Sequence, residues 1–206
     1  MQPSYLFFAF YPKKLFYWFM ADFFTFCNDF SPLDEAAVND LIPHTKTRIF
    51  QKGDTIVYNG EVCRHLFFIN SGLTKICSFK QDKEFIMRFF SENVMFSVFE
   101  SFLTQTPSNF EMIALEPTTL TLISYDSMEM LCHKHHSLET FFRKLVSRAT
   151  VKMTKRISEM LEENATTRYH QFVKENNHLI HRISLGDMAR YLGITQQSLS
   201  RIRAQR

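Results

Sequence analysis

The sequence predicts an α+β fold in three parts: an N-terminal jelly-roll (double-stranded β-helix) barrel, a long helix, and a C-terminal helix-turn-helix with no obvious wing. Three observations predict it. Short β-rich runs separated by turn residues recur from Thr47 to about Tyr125. From Ser137 the apolar residues step by three and four instead. From Ile183 to Arg206, ISLGDMARYLGITQQSLSRIRAQR, two short apolar-striped segments flank one glycine.

Residues 1–30 stand apart as an aromatic segment. Phe, Tyr, Leu and Trp crowd Tyr5 to Phe30, but Lys13 and Lys14 split the run and Asp22 and Asp29 follow. No stretch is apolar for the roughly 18 residues a membrane span needs. No small-residue cleavage pattern marks a signal peptide. One reading is an amphipathic segment that packs on the domain or on a membrane surface. The other, preferred here, starts translation at Met20 and makes residues 1–19 non-native; an intact mass beginning at Met1 would refute it.

Residues 31–136 make the barrel. Ser31 to Ile42 (SPLDEAAVNDLI) reads as a short helix with a Ser cap and early acids, closed by Pro43. The strand candidates are RIF, TIVY, HLFFI, LTKICSF, EFIMRFF, FEMIAL and LTLISY. Turn residues separate them at Lys52-Gly53-Asp54, Asn59-Gly60-Glu61, Asn70-Ser71-Gly72, Gln81-Asp82-Lys83 and Glu116-Pro117-Thr118. Short strands at this spacing fit a sandwich or jelly roll. Val98 to Leu103 reads as a helical turn.

Residues 137–163 read as one long helix. Phe142, Val146, Ala149, Met153, Ile157 and Met160 form a near-heptad seam, flanked by Arg143, Lys144, Arg148, Lys152, Lys155 and Arg156. A single seam on a helix of this length predicts a dimer interface, with a second copy of the chain as partner. Residues 164–206 follow, opening with a helix over Thr166 to Glu175.

Within the terminal pair, Ser184 is a helix N-cap, and Leu185, Met188, Ala189 and Leu192 form one apolar stripe. Gly193 supplies the left-handed residue that ends the first helix. Thr195 caps the second, whose Leu199 and Ile202 face inward. Gln197, Ser200, Arg201 and Ala204 point the other way, with Gln196 and Ser198 beside them. Gln pairs with adenine edges and Arg with guanine edges, whereas Thr195 and Ser198 at the helix N-terminus suit phosphates. Arg203 adds charge. From Arg168 to Arg206, seven Lys/Arg against two acids give +5, compared with +3 for the whole chain. That concentration suits a phosphate-binding surface on double-stranded DNA.

Other chemistries find little support. Cys27, Cys63, Cys77 and Cys132 lack CxxC spacing, which argues against a zinc ribbon or clustered iron–sulfur site and for free thiols in the cytoplasm. His65 and Cys77 are isolated haem-ligand candidates. The tract His133-Lys134-His135-His136 reads as a solvated loop rather than a metal site. With essentially His65 alone in the strand region, no metal triad assembles, so neither catalytic nor metal-binding residues are expected and the chain is not read as an enzyme.

This order of parts resembles the Crp/Fnr superfamily of transcription regulators. Lys52–Ile76, KGDTIVYNGEVCRHLFFINSGLTKI, looks like that family's barrel opening, and Thr166–Arg203 like its C-terminal domain, closely so at ARYLGIT and LSRIR. The resemblance implies a cyclic-nucleotide-binding-like sensor barrel and a homodimer acting in the cytoplasm. It implies base contacts from Gln196, Gln197 and Arg201, and RNA polymerase as a further partner. Cyclic-nucleotide binders of the family grip ribose and phosphate with Gly-Glu and, later, Arg. Here those positions are Ser97, Val98 and Ser108, so cyclic AMP binding is not expected and no cofactor is implied. The polar groups left near the pocket mouth are Ser97, Glu100, Ser101, Ser108 and Asn109; the effector is unnamed. A second departure is that the chain stops at Arg206, before the β-hairpin wing of many members. The alternative is a ligand-binding or interaction module with no specific DNA target.

Overall fold

The computed structural model describes residues 13–81 and 83–204, with side chains from Asp22 onward. Helix α1 spans Lys13–Phe30 and α2 Glu35–Leu41. Eight strands follow: β1 (Thr45–Phe50), β2 (Thr55–Val57), β3 (His65–Ser71), β4 (Thr74–Lys80), β5 (Lys83–Phe90), β6 (Met95–Phe96), β7 (Glu111–Ala114) and β8 (Thr118–Ser124). Helix α3 (Phe99–Thr104) lies between β6 and β7. The chain ends with α4 (Tyr125–Lys134), α5 (His136–Glu162), α6 (Ala165–Glu175), α7 (Leu185–Leu192) and α8 (Gln196–Ala204).

The strands form two antiparallel four-stranded sheets, β1-β8-β3-β6 and β2-β7-β4-β5. This is a jelly-roll sandwich. The expected barrel does not close: among the described residues, the two sheets share no ladder.

β3 shows why α1 belongs to the fold. Its run Leu66–Asn70 is buried throughout rather than alternately, as happens when both faces of a strand are covered. Phe67 faces the sheet interior and pairs across the ladder with Phe96, ring centroids 5.9 Å apart. Phe68 faces the other way, onto Phe23 at 5.4 Å and Phe26 at 5.2 Å from α1. Phe26 and Phe30 also meet Phe141 of α5. Residues 22–30 are therefore core, not a detached segment; residues 1–12 lie outside the described residues, and the start at Met20 is not addressed by them.

Gly72 closes the β3–β4 turn at φ +104, where a Cβ would lie 2.5 Å from the Thr118 hydroxyl and 2.7 Å from the Pro117 carbonyl. Only glycine fits that conformation and that space.

Two sequence readings need correction. Ser31 does not cap α2; its N–H donates to the Cys27 carbonyl at 2.9 Å and so finishes α1, while Asp34 caps α2 by accepting from Ala37 N–H at 2.8 Å. The histidine tract is not a loop. His133 and Lys134 end α4, His136 begins α5, and His135 lies between them with Nε2 2.7 Å from Asp40 Oδ2.

Candidate nucleic-acid interface and sensor pocket

The terminal helices are set by local chemistry. The Ser184 hydroxyl accepts from Asp187 N–H at 2.9 Å and so caps α7. Gly193 takes the left-handed conformation, φ +67, and ends it. The Thr195 hydroxyl accepts from Ser198 N–H at 3.1 Å and opens α8. Leu199, Met188, Ala189 and Leu192 are buried between the helices.

Arginines hold the end of α7. Arg168 of α6 donates to the Leu192 carbonyl from Nε (3.2 Å) and Nη2 (3.0 Å), and Arg156 of α5 donates to the Tyr191 carbonyl. They satisfy carbonyls that a helix C-terminus leaves bare, and their charge opposes the negative end of its dipole. Arg156 is buried, its guanidinium 3.9 Å from the Tyr191 ring centroid; it is not the solvated flank of a seam.

On α8, Gln196, Gln197, Ser200, Arg201 and Arg203 are exposed, as is Thr195 before it, and Ser198 is half-buried. Gln196 differs from the rest. Its amide lies back over α7, where a Cβ on Gly186 would come within 2.7 Å of Nε2. The open polar face is thus Gln197, Ser200, Arg201 and Arg203.

The basic balance of this region is smaller on the surface than the sequence implies. Arg168 is spent on backbone carbonyls. Arg182 grips Glu92 (2.7 Å) and Glu116 (2.5 Å) of the jelly roll. Arg190 sits 3.3 Å from Glu84 and 3.4 Å from Asp187. These charges dock the helical unit onto the outer face of β4 and β5, where Cys77, Ile86 and Phe89 pack against Tyr169, Phe172 and Leu192.

At the centre of that dock, Lys75 Nζ lies 2.6 Å from Glu84 and 2.9 Å from Asp187, all three side chains nearly buried. Burial alone would lower the proton affinity of Lys75, but the two carboxylates reverse it and raise its pKa. Burial likewise opposes the charge of Glu92, but Arg182 and two backbone N–H groups outweigh it and hold the carboxyl at about 2.

The expected effector pocket is only partly assembled. A cavity of about 640 Å³ lies between β5, β6, α5 and α6, and Ser97, Val98 and Glu100 line it. Ser101, Ser108 and Asn109 do not, because their segment turns away around α3. The buried hydroxyls are already engaged. Ser97 donates to the His65 carbonyl at 2.8 Å, Ser101 accepts from Cys63 N–H at 2.9 Å, and Ser108 donates to the Phe110 carbonyl at 3.0 Å. Val98 is buried and apolar; Glu100 and Asn109 are exposed.

The α5 seam also divides. Phe142 packs on Phe102 of its own chain, 6.2 Å between centroids, and the Met160 methyl lies against Gly193. At about 100° per residue both fall on the domain side of Val146. Ala149 lines the cavity. Met153 (40% exposed), Ile157 (54%) and Leu161 (81%) remain outward, with Val146 half-buried beside them.

The two haem candidates lie apart. His65 begins β3 and Cys77 lies on β4 in the other sheet. Burial, then Arg48 and Lys46, pushes the His65 pKa down, and burial pushes the Cys77 thiol up to about 12. Among the described residues, no three His, Cys, Asp or Glu side chains are grouped to hold a metal. Nor is any helix among them long and apolar enough to cross a membrane.

Residues 47–135 match the cyclic nucleotide-binding domain family. No curated protein sequence matches the chain. Solved structures do. FixK2 from Bradyrhizobium japonicum aligns at TM-score 0.70 and 15% identity, covering 78% of this chain and 83% of that one. A protein from Eubacterium rectale assigned to the crp/fnr family of transcriptional regulators aligns at 0.67 and 16%, covering 82% of each chain. The c-di-GMP responsive global regulator CLP of Xanthomonas campestris aligns at 0.65 and 18%, covering 84% of this chain and 91% of its own. The fold is that of the Crp/Fnr regulators. Within that fold, residues 47–135 cover the jelly-roll sandwich and α4, and α7–α8 form the helix-turn-helix.

Proposed function

We propose that the chain is a DNA-binding transcriptional regulator of Crp/Fnr type that acts as a homodimer and does not respond to cyclic AMP. The observation that carries the reading is the open face of α8: Gln197, Ser200, Arg201 and Arg203 point to solvent from a helix fixed by two caps and a left-handed glycine. A helix held so rigidly by its scaffold, with bidentate donors outward, suits the major groove. Thr195 and Ser198 at its start suit phosphate oxygens. The outward residues of α5 supply the self-association, which would place two such helices about one DNA turn apart.

Against cyclic AMP stand Ser97, Val98 and Ser108, which offer no cation and whose hydroxyls serve the backbone. A cyclic phosphate buried there would lack charge-assisted partners. The jelly roll works here as a sensor of something else.

The test begins with genomic fragments retained by the purified protein. On a recovered site, Arg201→Ala should cost about 1–3 kcal/mol and relax preference at one base step, and binding should weaken steeply with salt. Unchanged retention by Arg201→Ala overturns the DNA reading and leaves an interaction module. A calorimetric titration with cyclic AMP that gave micromolar affinity would overturn the second part.

A further inference from the structure

The first helix of the helix-turn-helix lies on the β4–β5 hairpin, close to the tip of that hairpin. Arg190 of α7 sits 3.3 Å from Glu84, and Asp187, in the first turn of α7, shares Lys75 with Glu84. Glu84 is the second residue of β5 and faces Phe79 across the ladder. The next pair outward is Lys80 and Lys83, which flank the turn. Cys77, Ile86 and Phe89 pack against Met188 and Leu192 behind this contact, so the tip is carried rigidly with α7.

The tip is built against its own stability. Lys80 and Lys83 stand directly opposite each other, and like charges so placed weaken a hairpin. Gln81 turns the chain at φ +50, in the left-handed region where hairpin turns favour Asn or Gly. Both lysines are exposed, and among the described residues neither forms an ion pair. With Asp82 between them in sequence, Lys80 to Lys83 carries +1. Behind the tip the charges cancel, since Lys75 and Arg190 answer Glu84 and Asp187. The lysines therefore set the sign of the surface beside the start of α7. One lysine, or a pair of opposite sign, would keep a hairpin tip soluble without the repulsion.

The docking of helix-turn-helix units says what this surface meets. The second helix enters the major groove, and the first crosses the phosphate backbone. With Gln197, Ser200 and Arg201 in the groove, α7 lies over the backbone and brings the hairpin tip beside it. Alternation starts the two lysine side chains on the face away from α7. They stand at the end of the hairpin, however, and their flexible four-carbon stems can swing around it.

We propose that the β4–β5 hairpin is a second DNA contact, in which Lys80 and Lys83 hold phosphates just outside the base pairs that α8 reads. The proposal rests on the DNA-binding reading of α8 and extends it to the jelly roll. The added contacts hold the duplex in position and carry no base preference.

The test uses the full chain and a genomic site that it retains, as a duplex ending at the base pairs read by α8 and as one extended by about one helical turn, ~10 bp, on each side. Each lysine on a phosphate adds about 0.9 to the slope of log affinity against log salt. Lys80→Gln/Lys83→Gln should therefore lower that slope by about two per chain on the long duplex and weaken binding tenfold or more near ~0.15 M salt. The loss should be the same when bases inside the site are changed, and small on the short duplex. Lys46→Gln/Arg48→Gln, which removes two exposed cations from β1 in the other sheet, should leave the slope alone. Lys80→Glu separates contact from stability: it turns the repelling pair into an attracting one, so it should raise the urea midpoint and still weaken the long duplex. An unchanged slope in the lysine double variant, a loss that depends on the bases, or equal losses on both duplexes overturns the proposal. A chain that responds to Arg201→Ala but not to the lysine pair loses this contact alone; a chain that holds no duplex loses the DNA reading and this contact with it.

Discussion

Replacing Lys75 by methionine keeps the length of the stem and removes the charge at the centre of the dock. Lys75 Nζ lies 2.6 Å from Glu84 and 2.9 Å from Asp187, with side-chain exposures of 10%, 11% and 13%. At an effective dielectric of about 20, each contact is worth about 6 kcal/mol of gross attraction. Desolvation of the ammonium takes back much of that sum. Deleting one member of a buried ion group costs about 3–5 kcal/mol, because the partner charge stays buried. Here Arg190 remains within 3.3 Å of Glu84 and 3.4 Å of Asp187, so the low end applies. Lys75→Met should therefore destabilise the chain by about 3 kcal/mol, a factor of roughly 150 in the unfolding constant. Urea unfolding followed by circular dichroism reads the cost. A cycle with Asp187→Asn assigns it: the double variant should be about 2 kcal/mol more stable than the sum of the singles predicts. A cost under about 1 kcal/mol, or additive singles, would show that the dock does not rest on this pairing.

The remaining predictions are brief. Glu92 sits at about 2 in the fold against an ordinary 4.5, so its contribution is complete above pH 4.5 and is lost as pH falls through 2. Discounted for the one-third exposure of the side chain, it amounts to about 1–2 kcal/mol, of which a little over half is lost by pH 3, so Arg182→Met should shrink the difference in unfolding free energy between pH 7 and pH 3 by about 1 kcal/mol. Phe23 is fully buried against β3, and Phe23→Ala should cost about 3–5 kcal/mol in the same assay; a loss under about 1 would detach α1 from the core. Ile157→Lys adds a charge to the outward face of α5 in both copies of a dimer and should weaken self-association about a thousandfold by sedimentation, with the circular dichroism spectrum of the folded chain unchanged; an unmoved dimer would place the interface elsewhere.

Local chemistry was readable in the chain; long-range pairing was not. The Ser184 and Thr195 caps, Gly193 and the seven longer strands each follow from residues within a few positions of one another. α4 went unread because Tyr125 looked like the end of a strand, although Met128, Leu131 and Cys132 carry a helical step. β6 has two residues, too few to show a period. The basic tail misled for a different reason. Arg182 and Arg190 look solvated in sequence, but their partners Glu92, Glu116 and Glu84 lie far back in the chain, and no spacing rule connects them. The seam divides because a heptad reading of a 3.6-residue helix drifts, which turns Phe142 and Met160 toward their own domain.

Tyr191 is where the parts of this fold meet. Its ring lies 5.5 Å from Phe89 of β5, 4.9 Å from Phe172 of α6 and 3.9 Å from the Arg156 guanidinium of α5, and its carbonyl accepts from that same arginine. It also lines the cavity and stands two residues before Gly193, the turn into α8. A close-packed aromatic cluster repacks in discrete steps rather than deforming smoothly. Tyr191 therefore touches both sides of the gap between β5 and α5 and stands beside the turn into α8. A ligand in the cavity moves that balance only by the difference in its affinity for the two packings. The exposed face of α8 needs no unmasking, since Gln197, Ser200 and Arg201 are open already. In the proposed dimer, the angle at which α8 is held would set the distance between the two copies of α8.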